Sequence, residues 1–138
     1  MPVERTLTFP GQASPGLTLA PPRRGPGDPC YQLDAEGAIW RTSLQNSGPV
    51  TARIRRTAPT TVSCQAWGDG AEEFIDGLPA LLGVGDDTSD FTPHHPVIEA
   101  AHKRVPHLRL GRTGRVLEAL VPAVLEQRVP GADSFRAW

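Results

Sequence analysis

Two kinds of side chain in this sequence commonly bind metal ions, histidine and cysteine. They occur at His94, His95, His102, His107, Cys30 and Cys64. The cysteines have no CxxC spacing, no carboxylate stands at ligand spacing from the histidines, and His95 directly precedes a proline that suits a helix start. We therefore predict surface or capping histidines rather than a metal site, and free thiols in a reducing compartment rather than a disulfide. The sequence indicates no small-molecule cofactor.

The segment Gly111–Gly114 could bind a phosphate group, because exposed N–H groups at a helix start attract anions. Arg112, Thr113 and Arg115 would supply charge and a hydroxyl to such a site. The alternative is an ordinary helix start, in which Thr113 caps a helix from Gly114 to about Arg128. Both interpretations remain open at this stage, and the three side chains are weak candidates for phosphate contact.

Two pairs of adjacent acids are candidates for acid–base chemistry. Glu72-Glu73 begins a predicted helix, where the helix dipole favours negative charge, and Asp86-Asp87 lies in a polar, glycine-containing segment. These placements explain both pairs without a catalytic role. Trp40 and Trp67 lie in strand patterns, and we predict them to be core or domain-interface residues rather than platforms for base stacking.

Composition and charge exclude several classes of protein. The net charge is −1, which excludes a strongly basic chain, but residues 91–138 carry seven Lys/Arg against four Asp/Glu, giving +3, and residues 1–90 carry seven against eleven, giving −4. A basic C-terminal part suits a polyanionic partner. The first residues lack the apolar core of a signal peptide, and no apolar run reaches membrane-spanning length. We expect a cytoplasmic protein with no membrane contact.

The first half of the chain has the alternation of strands. Polar and apolar residues alternate around Thr6–Phe9, Cys30–Leu33, Ala38–Leu44, Val50–Arg55 and Val62–Trp67, while proline and glycine before Tyr31 predict mostly loop. Short turns between the later strands favour an antiparallel meander with one buried face. Apolar residues at helical spacing in Glu72–Leu82 predict a helix, short or kinked at Gly77 and Pro79, that covers this face.

The second half has helical spacing. Pro96 suits the first turn of a helix that ends near Val105, and the helix after Thr113 is apolar nearly all round, with Pro122 inside it. A helix of that kind must be surrounded by protein, and the last helix begins only at Ala132 or Asp133. We therefore expect an α+β chain, with an antiparallel β domain at 1–82, a linker at 83–92 and an incomplete all-α domain at 93–138.

The string from Leu108 to Val129, preceded by His95-Pro96, closely resembles bacterial DNA glycosylases of the 3-methyladenine type in the helix-hairpin-helix superfamily. The upstream meander and helix resemble, more loosely, the small antiparallel domain that precedes their helical body. The resemblance implies a loop that enters the DNA minor groove and fills the gap left by a flipped-out base. It places Gln127 and Arg128 at the tip of this loop, with Val129 beside them. The phosphate that Arg112, Thr113 and Arg115 could contact would then be that of DNA. Pro130 departs from the family, which usually has Ser or Thr at that position.

The resemblance also implies that the phosphate-gripping hairpin and the catalytic aspartate lie downstream of the matched segment. No catalytic residue is therefore predicted in this chain, and Asp133 is no substitute by position. The leading hypothesis is the N-terminal part of a DNA N-glycosylase that removes alkylated or oxidised purines from double-stranded DNA. The alternative is a non-catalytic DNA-binding module or an inactive truncated remnant.

Overall fold

The computed structural model describes all 138 residues, from Met1 to Trp138. Its centre is a five-stranded antiparallel sheet. The strands are β1 (Val3–Thr8), β2 (Tyr31–Leu33), β3 (Ile39–Gln45), β4 (Gly48–Ala58) and β5 (Thr61–Trp67). Their order in the sheet is β1-β5-β4-β3-β2. Strands β2 to β5 form a meander, and β1 extends its far edge by pairing with β5. The predicted α+β class with an antiparallel meander is confirmed.

One face of the sheet forms the core, because successive side chains of a strand point to opposite faces and every second one here is apolar. Val50, Ala52 and Ile54 of β4 are buried, and the register places Ala52 beside Ala66 and Ile54 beside Cys64. Both cysteines are free thiols, as predicted. Burial raises the pKa of the Cys64 thiol to about 12, so this thiol is a core side chain rather than a nucleophile.

The segment between β1 and β2 is mostly loop, as predicted, with one short helix, α1 (Pro15–Thr18). Its backbone is nevertheless anchored. The buried carboxylate of Asp28 accepts the N–H groups of Arg24 and Cys30, each at 2.8 Å. These bonds fix the segment between β1 and β2, the N-terminal loop, which contacts the C-terminal helices.

A helix, α2 (Ala71–Leu81), covers the core face of the sheet. Its buried residues are Ala71, Phe74, Ile75, Leu78 and Leu81. Pro79 has no N–H to donate to the carbonyl of Ile75, and Nη1 of Arg5 on β1 donates to that carbonyl at 3.1 Å instead. The predicted covering helix is confirmed as one short element of 11 residues.

Three helices follow, α3 (Pro96–Arg104), α4 (Val116–Leu125) and α5 (Gly131–Ala137). Pro96 occupies the first turn of α3, and Nδ1 of the preceding His95 accepts the N–H of Val97 at 3.2 Å. The expected capping histidine is therefore confirmed for His95. None of the helices is long and apolar enough to cross a membrane.

The predicted start and end of α4 are wrong. Gly114 has a φ of +67°, outside the helical region, so the helix begins at Val116 with Arg115 as its N-cap. The Thr113 hydroxyl does not cap the helix; it accepts the N–H of Arg115 at 3.0 Å in a tight turn. At the other end, the last helical residue is Leu125, and Arg128 lies beyond the helix with a φ of +58°.

The connector between α3 and α4 lies directly against the C-terminal end of α2. The N–H of Arg112 bonds to the carbonyl of Ala80 at 2.9 Å, and the N–H of Leu110 bonds to Asp86 at 2.7 Å. A Cβ on Gly111 would lie 2.1 Å from the carbonyl oxygen of Leu81, so only glycine permits this approach. The connector thus sets where α4 begins.

Candidate nucleic-acid interface

Helix α4 turns its one polar side chain, that of Glu118, toward the sheet and most of its apolar side chains toward solvent. Glu118 accepts a hydrogen bond from Nη2 of Arg41 on β3 at 2.6 Å and another from the Ser43 hydroxyl. Pro122 is the one buried residue of the helix. The exposed apolar side chains, each 44–77% exposed, are Val116, Leu117, Leu120, Val121, Val124 and Leu125. This orientation is the reverse of an ordinary surface helix.

The expectation that protein surrounds α4 is therefore not met within these 138 residues. A cavity of about 1030 Å³ lies between the helix, the connector, the N-terminal loop and the sheet. Its lining includes Leu44, Val50, Leu110 and Pro122. Because this space separates the helix from the apolar core, close apolar packing does not hold α4 on the sheet, and its polar contacts carry the docking.

Arg115 makes the second polar contact, at the start of α4. Its guanidinium bonds to Gln45 at the end of β3 at 2.5 Å and to Asn46 in the β3–β4 turn at 2.9 Å, and it forms an ion pair with Glu73 of α2. Glu73 also accepts the N–H and the hydroxyl of Ser47, at 2.9 and 2.7 Å. These bonds from Ser47, then that from Arg115, lower the pKa of Glu73 from 4.5 to about 2.

The turn after α4 contains the three predicted DNA-contacting residues, Gln127, Arg128 and Val129, and all three are exposed. Arg128 is the one non-glycine residue with a positive φ. An L-residue in this left-handed region costs roughly 1–2 kcal/mol, and such strain is typical of functional turns. The Arg128 guanidinium has no ion-pair partner. The turn thus presents a free cation, an amide and an apolar side chain to solvent.

The N-terminal loop holds this turn from both sides. Before it, Arg24 forms an ion pair with Glu126 at 3.2 Å. After it, the ring of Phe135 on α5 packs against Gly25, where a Cβ would lie 3.0 Å from the ring. Pro130, the residue that departs from the family pattern, begins α5 through its carbonyl, which accepts the N–H of Ser134 at 3.1 Å. A helix therefore follows the turn without a capping side chain.

The weak phosphate candidates lie at the other end of α4. The ten residues of that helix span about 15 Å, which separates them from the Gln127–Val129 turn. Arg112 is exposed, Thr113 is half-buried and bonded within its own turn, and the guanidinium of Arg115 is occupied by protein partners. A phosphate role for these residues stays a prediction.

Asp133 is an exposed residue in the first turn of α5, and it pairs with Arg136 of the same helix. The two adjacent acids at the start of α2 differ: Glu73 bonds to residues of other elements, whereas Glu72 is exposed. No group of three or more His, Cys, Asp or Glu side chains is placed to hold a metal ion.

Trp40 and Trp67 stack on each other, with ring centroids 5.6 Å apart and an interplanar angle of 11°. They alternate with the buried residues of β3 and β5, so they lie on the sheet face opposite α2. Neither ring lies in the core, because both are half-buried on that outer face, and the domain-interface alternative stays a prediction. Nε1 of Trp40 bonds to Asp34 at 3.0 Å. Sequence reasoning missed this pairing, which only the register across β4 brings about.

Desolvation of Asp34 opposes ionisation of its carboxyl group, but hydrogen bonds from Ala38, Trp40 and Arg53 outweigh it and lower the pKa of Asp34 to about 2. The carboxylate is therefore a fixed anion that anchors the outer face of the sheet. It lies far in sequence from the Gln127–Val129 turn, and it holds the side chains of Trp40 and Arg53 by hydrogen bonds.

Comparison with known proteins finds a likeness in fold and none in sequence family. No protein-family profile and no curated protein sequence matches this chain. Among solved structures, the fold is similar to a 3-methyladenine DNA-glycosylase from Archaeoglobus fulgidus, with a TM-score of 0.73 and 14% sequence identity. The likeness covers 95% of this chain and 47% of that one, so this chain spans about half the length of the solved protein. The chain thus has a glycosylase-like fold.

Proposed function

We propose that this chain is the N-terminal part of a DNA N-glycosylase that acts on alkylated or oxidised purines in double-stranded DNA. The observation that carries the proposal is the fold likeness over 95% of the chain to a 3-methyladenine DNA-glycosylase. In this proposal residues 1–82 are the β domain, 83–92 the linker, and 93–138 the beginning of the helical domain.

The DNA-contacting element is the Gln127–Val129 turn. A glycosylase must move the damaged nucleotide out of the stack, which costs a few kcal/mol, and a side chain inserted into the gap offsets part of that cost. Gln127 and Val129 are exposed and of suitable size, and the unpaired Arg128 beside them attracts the phosphate backbone. The strained backbone at Arg128 supports this role, because nothing in the fold alone requires a non-glycine residue there.

The apolar face of α4 is the site where further helices of the helical domain pack. Six exposed apolar side chains on one helix form a surface of the kind that is normally covered. We assign the catalytic carboxylate and the phosphate-gripping hairpin to those further helices, because the sequence resemblance implies that both lie downstream of the matched segment.

The experiment is base release from duplex DNA that contains methylated purines, scored by alkaline strand scission. We expect no release by the 138-residue chain, and release by a polypeptide that continues the same reading frame into a hairpin and an aspartate. Activity of the purified 138-residue chain that scales with its concentration would contradict the assignment of the catalytic carboxylate to further helices. A stop codon directly after Trp138 would favour the alternative, a non-catalytic DNA-binding module or an inactive remnant.

A further inference from the structure

Helix α4 is attached near its first turn by two ion pairs, one to the sheet and one to α2. Arg115, its N-cap, contacts Glu73, and Glu118, its third residue, contacts Arg41. Pro122 is the one buried residue of the helix, and the cavity of about 1030 Å³ lies beneath it. These two ion pairs therefore fix the first turn of the helix, whereas the pair between Arg24 and Glu126 contacts its other end.

The position of Arg115 is explained by its partners across the interface and not by the helix itself. A cation at a helix N-terminus is disfavoured by the helix dipole, yet Arg115 stands there because Glu73, Gln45 and Asn46 bind its guanidinium. Arg41 is 7% exposed, its one carboxylate partner is Glu118, and its Nε has no partner. A buried cation with a single counter-ion depends strongly on that counter-ion.

We propose that Glu73 and Arg41 are positioning residues for the Gln127–Val129 turn, acting through Arg115 and Glu118. A ten-residue helix behaves as a rod of about 15 Å, so fixing its first turn sets where its last turn points. In this proposal the β domain supports α4 and fixes its orientation. This inference rests on the proposed function for its DNA readout, but the effect of the two ion pairs on α4 can be measured without DNA.

The competing interpretation is that Arg115 contacts DNA phosphate, as the sequence suggested. Substitution Glu73→Gln separates the two. It removes a negative charge and releases Arg115, so a phosphate contact predicts tighter DNA binding, whereas positioning predicts weaker binding. Glu72→Gln is the matched control, because it makes the same charge change at the neighbouring exposed residue, which makes no ion pair.

The measurements are fluorescence anisotropy with a duplex that carries an abasic-site analogue, and amide hydrogen exchange, both on the 138-residue chain. For Glu73→Gln we expect binding about fivefold weaker than for Glu72→Gln, with an unchanged salt slope because no phosphate contact is lost. We also expect faster exchange in α4 and at Gln127–Val129, with β4 and β5 unchanged.

Equal or tighter binding of Glu73→Gln relative to its control would overturn the proposal. If the wild-type chain fails to bind DNA, the assignment of the Gln127–Val129 turn as the DNA-contacting element fails, and the exchange data alone decide the positioning role: equal exchange rates in α4 for the two variants would refute it. If Glu73→Gln unfolds the sheet, Arg115→Lys replaces it, since lysine keeps the charge but lacks the planar guanidinium whose two terminal nitrogens bond to Glu73, Gln45 and Asn46. The same weakening and faster exchange are expected of that variant.

Discussion

Arg5 on β1 donates a hydrogen bond to the carbonyl oxygen of Ile75 on α2, at 3.1 Å. Pro79 leaves this carbonyl without its normal helical donor, so Arg5 repairs a defect that the sequence itself introduces. We predict that Arg5→Met destabilises the chain by about 1–2 kcal/mol, measured by urea unfolding, because a carbonyl then loses its partner. In a Pro79→Ala background, which restores the helical N–H, the same substitution should have a smaller effect. Equal effects in both backgrounds would contradict this role of Arg5.

The pKa of Glu73 gives the docking of α4 a defined pH dependence. Its folded-state pKa of about 2 lies below the usual 4.5. The contribution of Glu73 is therefore fully present above pH 4.5 and is lost as the pH falls from 4.5 toward 2. We predict that amide protection in α4 declines across that window. Asp34, whose pKa is also about 2, titrates in the same range but in the sheet, so Glu73→Gln should remove the decline in α4 without affecting β3 and β4.

The strained turn at Arg128 predicts that stability and DNA binding respond in opposite directions. Arg128→Gly relieves the positive φ of +58°, so we expect the free energy of unfolding to rise by about 1 kcal/mol. DNA binding should weaken, and the salt slope should fall by about one, because a cation near the backbone is lost. Arg128→Lys keeps the charge and should keep most of the binding. A glycine variant that binds DNA as well as the wild type would show that Arg128 does not contact DNA.

The exposed apolar face of α4 predicts concentration-dependent self-association of the 138-residue chain. Leu120 is 51% exposed and lies in the middle of that face. Leu120→Lys should shift sedimentation toward the monomer, because a charge cannot be buried without a partner. Leu33→Lys is the control, since Leu33 is similarly exposed at 53% but lies on the edge strand β2. If both variants sediment like the wild type, this face does not drive association.

The sheet was predictable because its signal is local. Alternation within a strand such as Val50, Ala52 and Ile54 depends only on the period of two and on which face is buried. The bounds of α4 were less predictable, since Thr113 suits an N-cap by type, but a φ of +67° at Gly114 delays the helix to Val116. Local composition does not report that backbone angle.

The docking of α4 was not predictable for another reason. Arg41 and Glu118 are 77 residues apart in the chain, and Glu73 and Arg115 are 42 apart. No periodicity connects such pairs, so the sequence indicated only that the helix is apolar around most of its circumference. Glu118 faces the sheet because it pairs with Arg41 there, and Arg115 pairs with Glu73 on α2. The Gln127–Val129 turn, in contrast, came from a resemblance in residue type and spacing.

The most direct test of the account is whether the Gln127–Val129 turn recognises DNA with a missing base. The measurement is fluorescence anisotropy of the 138-residue chain with two duplexes, identical except that one carries an abasic-site analogue. We predict tighter binding to the abasic duplex, because a side chain can fill the gap without the cost of flipping a base, and loss of that preference in Gln127→Ala. Equal binding to both duplexes by the wild-type chain, or a preference unchanged in Gln127→Ala, would contradict the assignment of this turn as the DNA-contacting element.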